Sequence, residues 1–248
     1  MKNMMRWLIF LCLTAISATS GAAQQLNVWS SGGVHPVPLK VKTSSDTCAG
    51  CHSDVGKGKY VHTAMMMGCT TCHQIRNKGG STRVVLVAPA TQICLSCHPL
   101  AKTKVLHAPY KQGDCVVCHS PHASDFPNHT WVSAQDTCLG CHARSRLKVN
   151  DQQKSATVPW GVTLTFAQIQ GCEYVSLNPE LTAGHPVAGH PVSGPNTVLG
   201  ANAPAITCLS CHNAHASNFA HLLPKTPPDP DMPLCKSCSL CVDCHRSM

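Results

Sequence analysis

One string, Cys-x-x-Cys-His, occurs seven times in this chain and constrains it more than anything else. The copies are Cys48-Ala-Gly-Cys51-His52, Cys69-Thr-Thr-Cys72-His73, Cys94-Leu-Ser-Cys97-His98, Cys115-Val-Val-Cys118-His119, Cys138-Leu-Gly-Cys141-His142, Cys208-Leu-Ser-Cys211-His212 and Cys241-Val-Asp-Cys244-His245. With 18 cysteines and 16 histidines in 248 residues, chance would supply roughly 0.08 copies. Zinc ribbons use Cys-x-x-Cys pairs but need no histidine directly after the second cysteine. A disulfide framework explains neither the histidines nor the fixed spacing, and an iron–sulfur cluster would leave the histidines idle. Covalent haem attachment uses every residue of the string. The two thiols add to the two vinyl groups, and the following imidazole lies under the iron as its proximal ligand.

Composition agrees. Aromatic residues make up 4% of the chain and charged residues 12%, too few large apolar side chains for an ordinary core of this length. Seven covalently bound haem c groups would supply the missing interior. The N-terminus reads Met1-Lys2-Asn3-Met4-Met5-Arg6, then an apolar run Trp7–Ile16, then small residues to Ala23. This order is that of a secretory signal peptide, 1–23, cleaved near Ala23. The apolar run is shorter than the about 20 residues a bilayer span requires, so no transmembrane segment is expected in the mature chain.

The first cysteines of successive motifs are separated by 21, 25, 21, 23, 70 and 33 residues. His62 lies between the motifs at Cys48 and Cys69, and His107 between those at Cys94 and Cys115, so the repeating unit reads as two motifs with a histidine between them. The exits Cys118-His119-Ser-Pro-His122-Ala-Ser and Cys211-His212-Asn-Ala-His215-Ala-Ser match, which makes Cys138 and Cys208 a third unit stretched by an insertion. Cys241 then opens a lone motif. The expected layout is a five-haem region at 24–142, an insertion with a histidine cluster at 143–207 and a two-haem region at 208–248. The expected fold is mostly irregular coil with short helices around a packed haem array. A minor strand is expected in the 143–183 insertion, from the alternation Val162-Thr-Leu164-Thr-Phe166. Arg83–Val87 is a similar short run, and Pro224–Pro233 is a linker.

The pattern resembles the multihaem c-type cytochromes of the doubled CxxCH family, on the His62 and His107 segments, the two CHxxHAS exits and Gly184-His185-Pro-Val-Ala-Gly-His190-Pro-Val. The resemblance implies two histidines on each iron. Proximal ligands are then His52, His73, His98, His119, His142, His212 and His245. The distal candidates are His35, His62, His107, His122, His185, His190 and His215, with His129 and His221 in reserve. His122 and His215 each follow a proximal histidine by three residues, a span of at most about 10 Å, too short to wrap round the porphyrin, so each should serve a neighbouring haem. The first unit has Arg76 where the other exits have His122 and His215, and His35 is the expected substitute. Met65-Met66-Met67 offers thioethers, better suited to packing against a haem face than to ligation. Cys172, Cys235 and Cys238 are left over, and a disulfide from Cys172 to one of the other two suits an oxidising compartment.

Irons carrying two nitrogen ligands transfer single electrons and leave no position open for substrate, so an electron carrier is expected, not an enzyme. Its partners would be other redox proteins, a quinol-linked or periplasmic cytochrome donor and an outer-membrane or extracellular acceptor, in the periplasm or at the cell surface. The alternatives are a multihaem reductase of nitrite or a similar small oxyanion, which needs one open iron, and a self-associating filament subunit. The formal charge of +8 is outweighed by 14 propionates, so it reads as counter-charge for cofactor and not as an address for nucleic acid.

Overall fold

The computed structural model describes residues 33–175, 190–200, 202–224, 240, 244 and 245. Its elements are short. Helices α1 (Ser45–Cys51), α2 (Ala90–Ile93), α3 (Ala108–Gln112), α4 (Ala134–His142) and α5 (Phe166–Ile169) alternate with single 3-10 turns and nine strands of two to six residues. Four of those 3-10 turns are the attachment strings themselves, Cys69–Thr71, Cys94–Ser96, Cys115–Val117 and Cys208–Ser210. In each, the backbone N–H of the second cysteine donates to the carbonyl of the first at 3.2–3.3 Å, which holds the two thiols on one side of one turn.

Small antiparallel pairs fasten the coil. Strands β2 (His73–Lys78) and β3 (Ser81–Leu86) form a hairpin in continuous register from His73↔Leu86 to Lys78↔Ser81. Its two-residue turn is Gly79-Gly80, at φ of 57° and 77°, the left-handed pair that a tight hairpin demands and glycine supplies. The sequence reading anticipated only a run at Arg83–Val87. The turn glycines were the overlooked sign of a partner strand.

Two further pairs repeat one design. Strand β1 (Tyr60–Val61) pairs with β5 (Ala123–Ser124), and β4 (Val105–Leu106) pairs with β9 (Ala216–Ser217). Each continues into a histidine-to-histidine backbone bond, His62 N–H to the His122 carbonyl and His107 N–H to the His215 carbonyl, both 2.8 Å. The Ser124 and Ser217 hydroxyls then bond back to the carbonyls of Thr130 and Leu223, closing the same loop twice.

The insertion carries the three-stranded sheet β6 (Lys148–Asn150), β7 (Ser155–Thr157) and β8 (Thr163–Thr165), where a minor strand was expected. Its inner face buries Leu147, Ala156, Val158, Val162 and Leu164 against Val117 of the fourth attachment string. Trp160 locks this module in place: its indole N–H donates to the Val117 carbonyl at 2.8 Å, and its ring occupies the space where a side chain on Gly140 would stand. Among the described residues no helix is long and apolar enough to cross a membrane.

Candidate haem-binding site

The motif histidines meet other histidines in twos. Ring centroids are 6.1 Å apart for His35 and His52, 6.1 Å for His62 and His98, 6.0 Å for His73 and His122, 6.0 Å for His107 and His142, 5.7 Å for His119 and His215, and 6.2 Å for His190 and His245. A metal–nitrogen bond of about 2 Å on each side, with about 1 Å from nitrogen to ring centre, spaces two trans imidazoles about 6 Å apart. The donor sets therefore fit an iron between each pair. Among the described residues no three His, Cys, Asp or Glu side chains converge as a closed zinc site requires.

The second nitrogen of several rings is already engaged by backbone carbonyls. His35 Nδ1 lies 2.7 Å from the Val37 carbonyl, His119 2.8 Å from Asn128, His142 2.6 Å from Glu173, His190 2.9 Å from Pro191 and His212 2.7 Å from His221. A carbonyl at Nδ1 fixes the proton there and leaves Nε2 free to bind metal. Burial lowers the basicity of His62, His73, His107, His122 and His215, which favours the neutral, ligating form. His142 goes the other way, to about 9, chiefly through its contact with the Cys172 thiol.

The thiols are ordered as well. The first cysteines of consecutive motifs meet in Cys48–Cys69, Cys94–Cys115 and Cys138–Cys208, each pair sharing a side-chain hydrogen bond. In the last two pairs this bond pulls Cys115 and Cys208 down to about 7 and pushes their partners up. Further thiols meet across the junctions between these pairs: Cys72 lies by Cys94 and Cys97, and Cys118 by Cys141, with burial pushing Cys118 up to about 12. Cys138 and Cys208 thus adjoin although 70 residues separate them.

His35, the expected substitute ligand of the first unit, faces His52 of that unit's opening motif, with 6.1 Å between ring centroids. The reserve histidines have other neighbours: His129 packs edge-on against His62 at 5.3 Å, and His221 lies 3.7 Å from the Glu173 carboxylate. The Cys172 sulfur is 3.7 Å from His142 Nδ1, while Cys235 and Cys238 lie outside the described residues, as does His185. Met66 and Met67 are exposed. What the sequence reading missed is the backbone carbonyl at Nδ1 of His35, His119, His142, His190 and His212, because a main-chain acceptor leaves no mark on residue type. It also missed the left-handed turns at Asn128-His129 and His221-Leu222, which aim two of those carbonyls.

A family model described as the doubled CXXCH motif matches residues 62–103 and 107–147. The chain carries the doubled CXXCH motif. That motif marks covalently bound haem c and the electron-transfer chemistry of c-type cytochromes. No curated protein and no solved structure gives a significant match.

Both matched stretches begin on a histidine, His62 or His107, and run through a closing motif to the next opening motif. In this frame the ring pairs become regular. The leading histidine faces the last motif histidine of its own repeat, as His62 faces His98 and His107 faces His142. His190 and His245 repeat the relation, and His35 with His52 is a half-repeat. Exit histidines face backward into the preceding repeat, His122 to His73 and His215 to His119. The repeat starting at His62 has no full repeat before it, so its exit position, Arg76, has no closing motif to serve.

Proposed function

We propose that this chain is an exported heptahaem c-type cytochrome that passes electrons along a chain of bis-histidine haems, in a respiratory or extracellular electron-transfer pathway. The observation that carries the reading is the set of six histidine pairs with ring centres 5.7–6.2 Å apart, each containing one motif histidine. In this reading the seven string histidines are proximal ligands. His35, His62, His107, His122, His190 and His215 are distal, and His185 is the remaining distal candidate. Bound haem supplies an iron that gains and loses one electron with little change in its ligands.

The protein's part is to hold those irons. The paired cysteines would attach each haem, and a proximal and a distal histidine would both bind its iron, which would leave no position for substrate. Carbonyls at Nδ1 orient the rings and raise their donor strength. The signal-like N-terminus supports export to the periplasm or the cell surface, where a redox protein on either side would be donor and acceptor.

Intact mass and the reduced pyridine spectrum of the mature protein should give seven haems, and magnetic resonance of the oxidised form should give only low-spin iron. His107→Ala should convert one haem to high spin, whereas His129→Ala should convert none. Four haems or fewer, or a high-spin signal equal to one haem in the unaltered protein, would remove the reading and favour an enzyme with an open iron.

A further inference from the structure

An imidazole that binds iron through one nitrogen still turns about that bond unless something else holds its plane. In the pair of His119 and His215, the proximal ring is held through Nδ1 by the Asn128 carbonyl at 2.8 Å. The distal ring is met on its face. Tyr110 lies against His215 with ring centroids 4.7 Å apart and planes 16° from parallel.

Three segments of chain converge on that phenol ring. Tyr110 sits in the first turn of α3, whose N-cap is His107, and Lys111 N–H donates to the His107 carbonyl at 2.8 Å. The Tyr110 hydroxyl accepts the Ala101 N–H at 2.8 Å, three residues beyond the third motif histidine, His98. The pairing of β4 with β9 then brings in His215, through the bond from His107 N–H to the His215 carbonyl. The ring thus stands where the segments bearing His98, His107 and His215 meet, and these three histidines face three different motif partners. The same loop design occurs at His62 without a tyrosine. His62-Thr63-Ala64-Met65 matches His107-Ala108-Pro109-Tyr110, and His62 N–H reaches the His122 carbonyl in the same way. The loop therefore forms with or without the aromatic ring, which is an addition to one of the two exit histidines.

We infer that Tyr110 is a positioning residue for the haem between His119 and His215, fixing the plane of the His215 imidazole and favouring the ferric state of that iron. The inference rests on the bis-histidine reading above and extends it to a side chain outside the ligand set. Its cause is electrostatic. An aromatic face is the negative part of the ring's quadrupole, and an imidazole on ferric iron carries more positive charge than one on ferrous iron, so the stacked phenol stabilises the oxidised form. The bond from Ala101 keeps the phenol in place.

The test is a redox titration of the mature holoprotein followed by magnetic resonance at low temperature. The g-values of each low-spin haem follow the angle between its imidazole planes, and loss of its signal on reduction gives its potential. His215→Ala marks the haem concerned, as the low-spin signal that this variant removes. Tyr110→Leu should shift the g-values of that signal and displace its equilibrium towards the ferrous form by about threefold to tenfold, which is about 30–60 mV upward for one electron. Tyr110→Phe, which keeps the ring, should leave the g-values in place and move the equilibrium by less than twofold. Pentafluorophenylalanine at position 110 keeps the ring's shape and reverses its quadrupole, so it should raise the potential with the g-values unchanged; where Tyr110→Leu fails to assemble, this variant decides alone. A lowered potential in Tyr110→Leu would overturn the inference, because admitting water by itself favours the charged ferric form. An unchanged signal, equal shifts in the Leu and Phe variants, or a native potential with the fluorinated ring would overturn it too. Failure of the ligand reading looks different: high-spin iron in the unaltered protein, or no low-spin signal lost in His215→Ala.

Discussion

Residues that make the site differ in how openly they declare themselves. Proximal histidines and thiols are read directly from the string, because covalent attachment dictates their spacing. Distal histidines can be shortlisted by reach and repetition, but which ring faces which depends on contacts between repeats. Trp160 gave no signal at all: its role arises because Gly140 of the fifth string and the Val117 carbonyl of the fourth are brought under one indole ring. A Cβ on Gly140 would lie 2.4 Å from Trp160 Cη2 and Cζ3, in a region where the ring cannot swing away without losing its hydrogen bond. Gly140→Ala should therefore destabilise the holoprotein by about 1–3 kcal/mol, the cost of overpacking a tight contact. Trp160→Phe, which keeps most of the ring and loses the N–H donor, should cost about 1 kcal/mol. Chemical denaturation of the two variants, followed by the haem absorbance, gives the order: Gly140→Ala below Trp160→Phe below the unaltered protein.

Elements are set less by periodicity than by their ends. The two-residue strands β1, β4, β5 and β9 are too short to show alternation, and what marks them in the sequence is the histidine that follows or precedes each. Helix α4 is legible by its start: Ser133 caps the Asp136 N–H at 3.1 Å, and the Asp136 carboxylate also receives Arg146 at 2.6 Å. That ion pair fastens the helix bearing the fifth string to the first turn of the insertion. Hydrogen bonds from Arg146, then from Ser133, hold the Asp136 carboxyl below the ordinary carboxylate value. A depressed folded value means the stabilisation is complete above the unfolded pKa near 4 and is lost as pH falls through the folded one. Both side chains are at least a third exposed, so solvent screening limits the gain to a few tenths of a kcal/mol. Arg146→Gln should be slightly less stable than the unaltered protein at neutral pH, with the difference vanishing once acid has protonated Asp136 in both. Paired melts across an acid series measure this directly, and a constant difference at every pH would assign the effect to lost packing by the arginine stem.

At the scale of the whole molecule, thiol contacts link the strings in sequence order, Cys48 to Cys69, Cys72 to Cys94 and Cys97, Cys94 to Cys115, Cys118 to Cys141 and Cys138 to Cys208. Histidine pairs bridge past that order, so each repeat is held by both neighbours, as in a solenoid, and in the proposed reading cofactor would take the place of side chains in its interior. The protein component of that interior is small. Among the described residues eight hydrophobic side chains are buried, and six of them form one cluster where the insertion sheet meets Val117. Between Gly33 and Gly113 no hydrophobic residue is buried. A chain of this kind has little to offset the conformational entropy of ordering those residues until the porphyrins are attached, as in small domains that fold only with their metal. Protein made without haem attachment should therefore show the far-ultraviolet circular dichroism of coil and no cooperative melt. Its slowest amide exchange should fall at Ala156, Val158 and Leu164, the one place where apolar side chains pack without haem. A cooperative melt of the haem-free chain, or protection spread evenly over 33–113, would mean that side chains alone hold the repeats together and that the haems are passengers in a preformed fold.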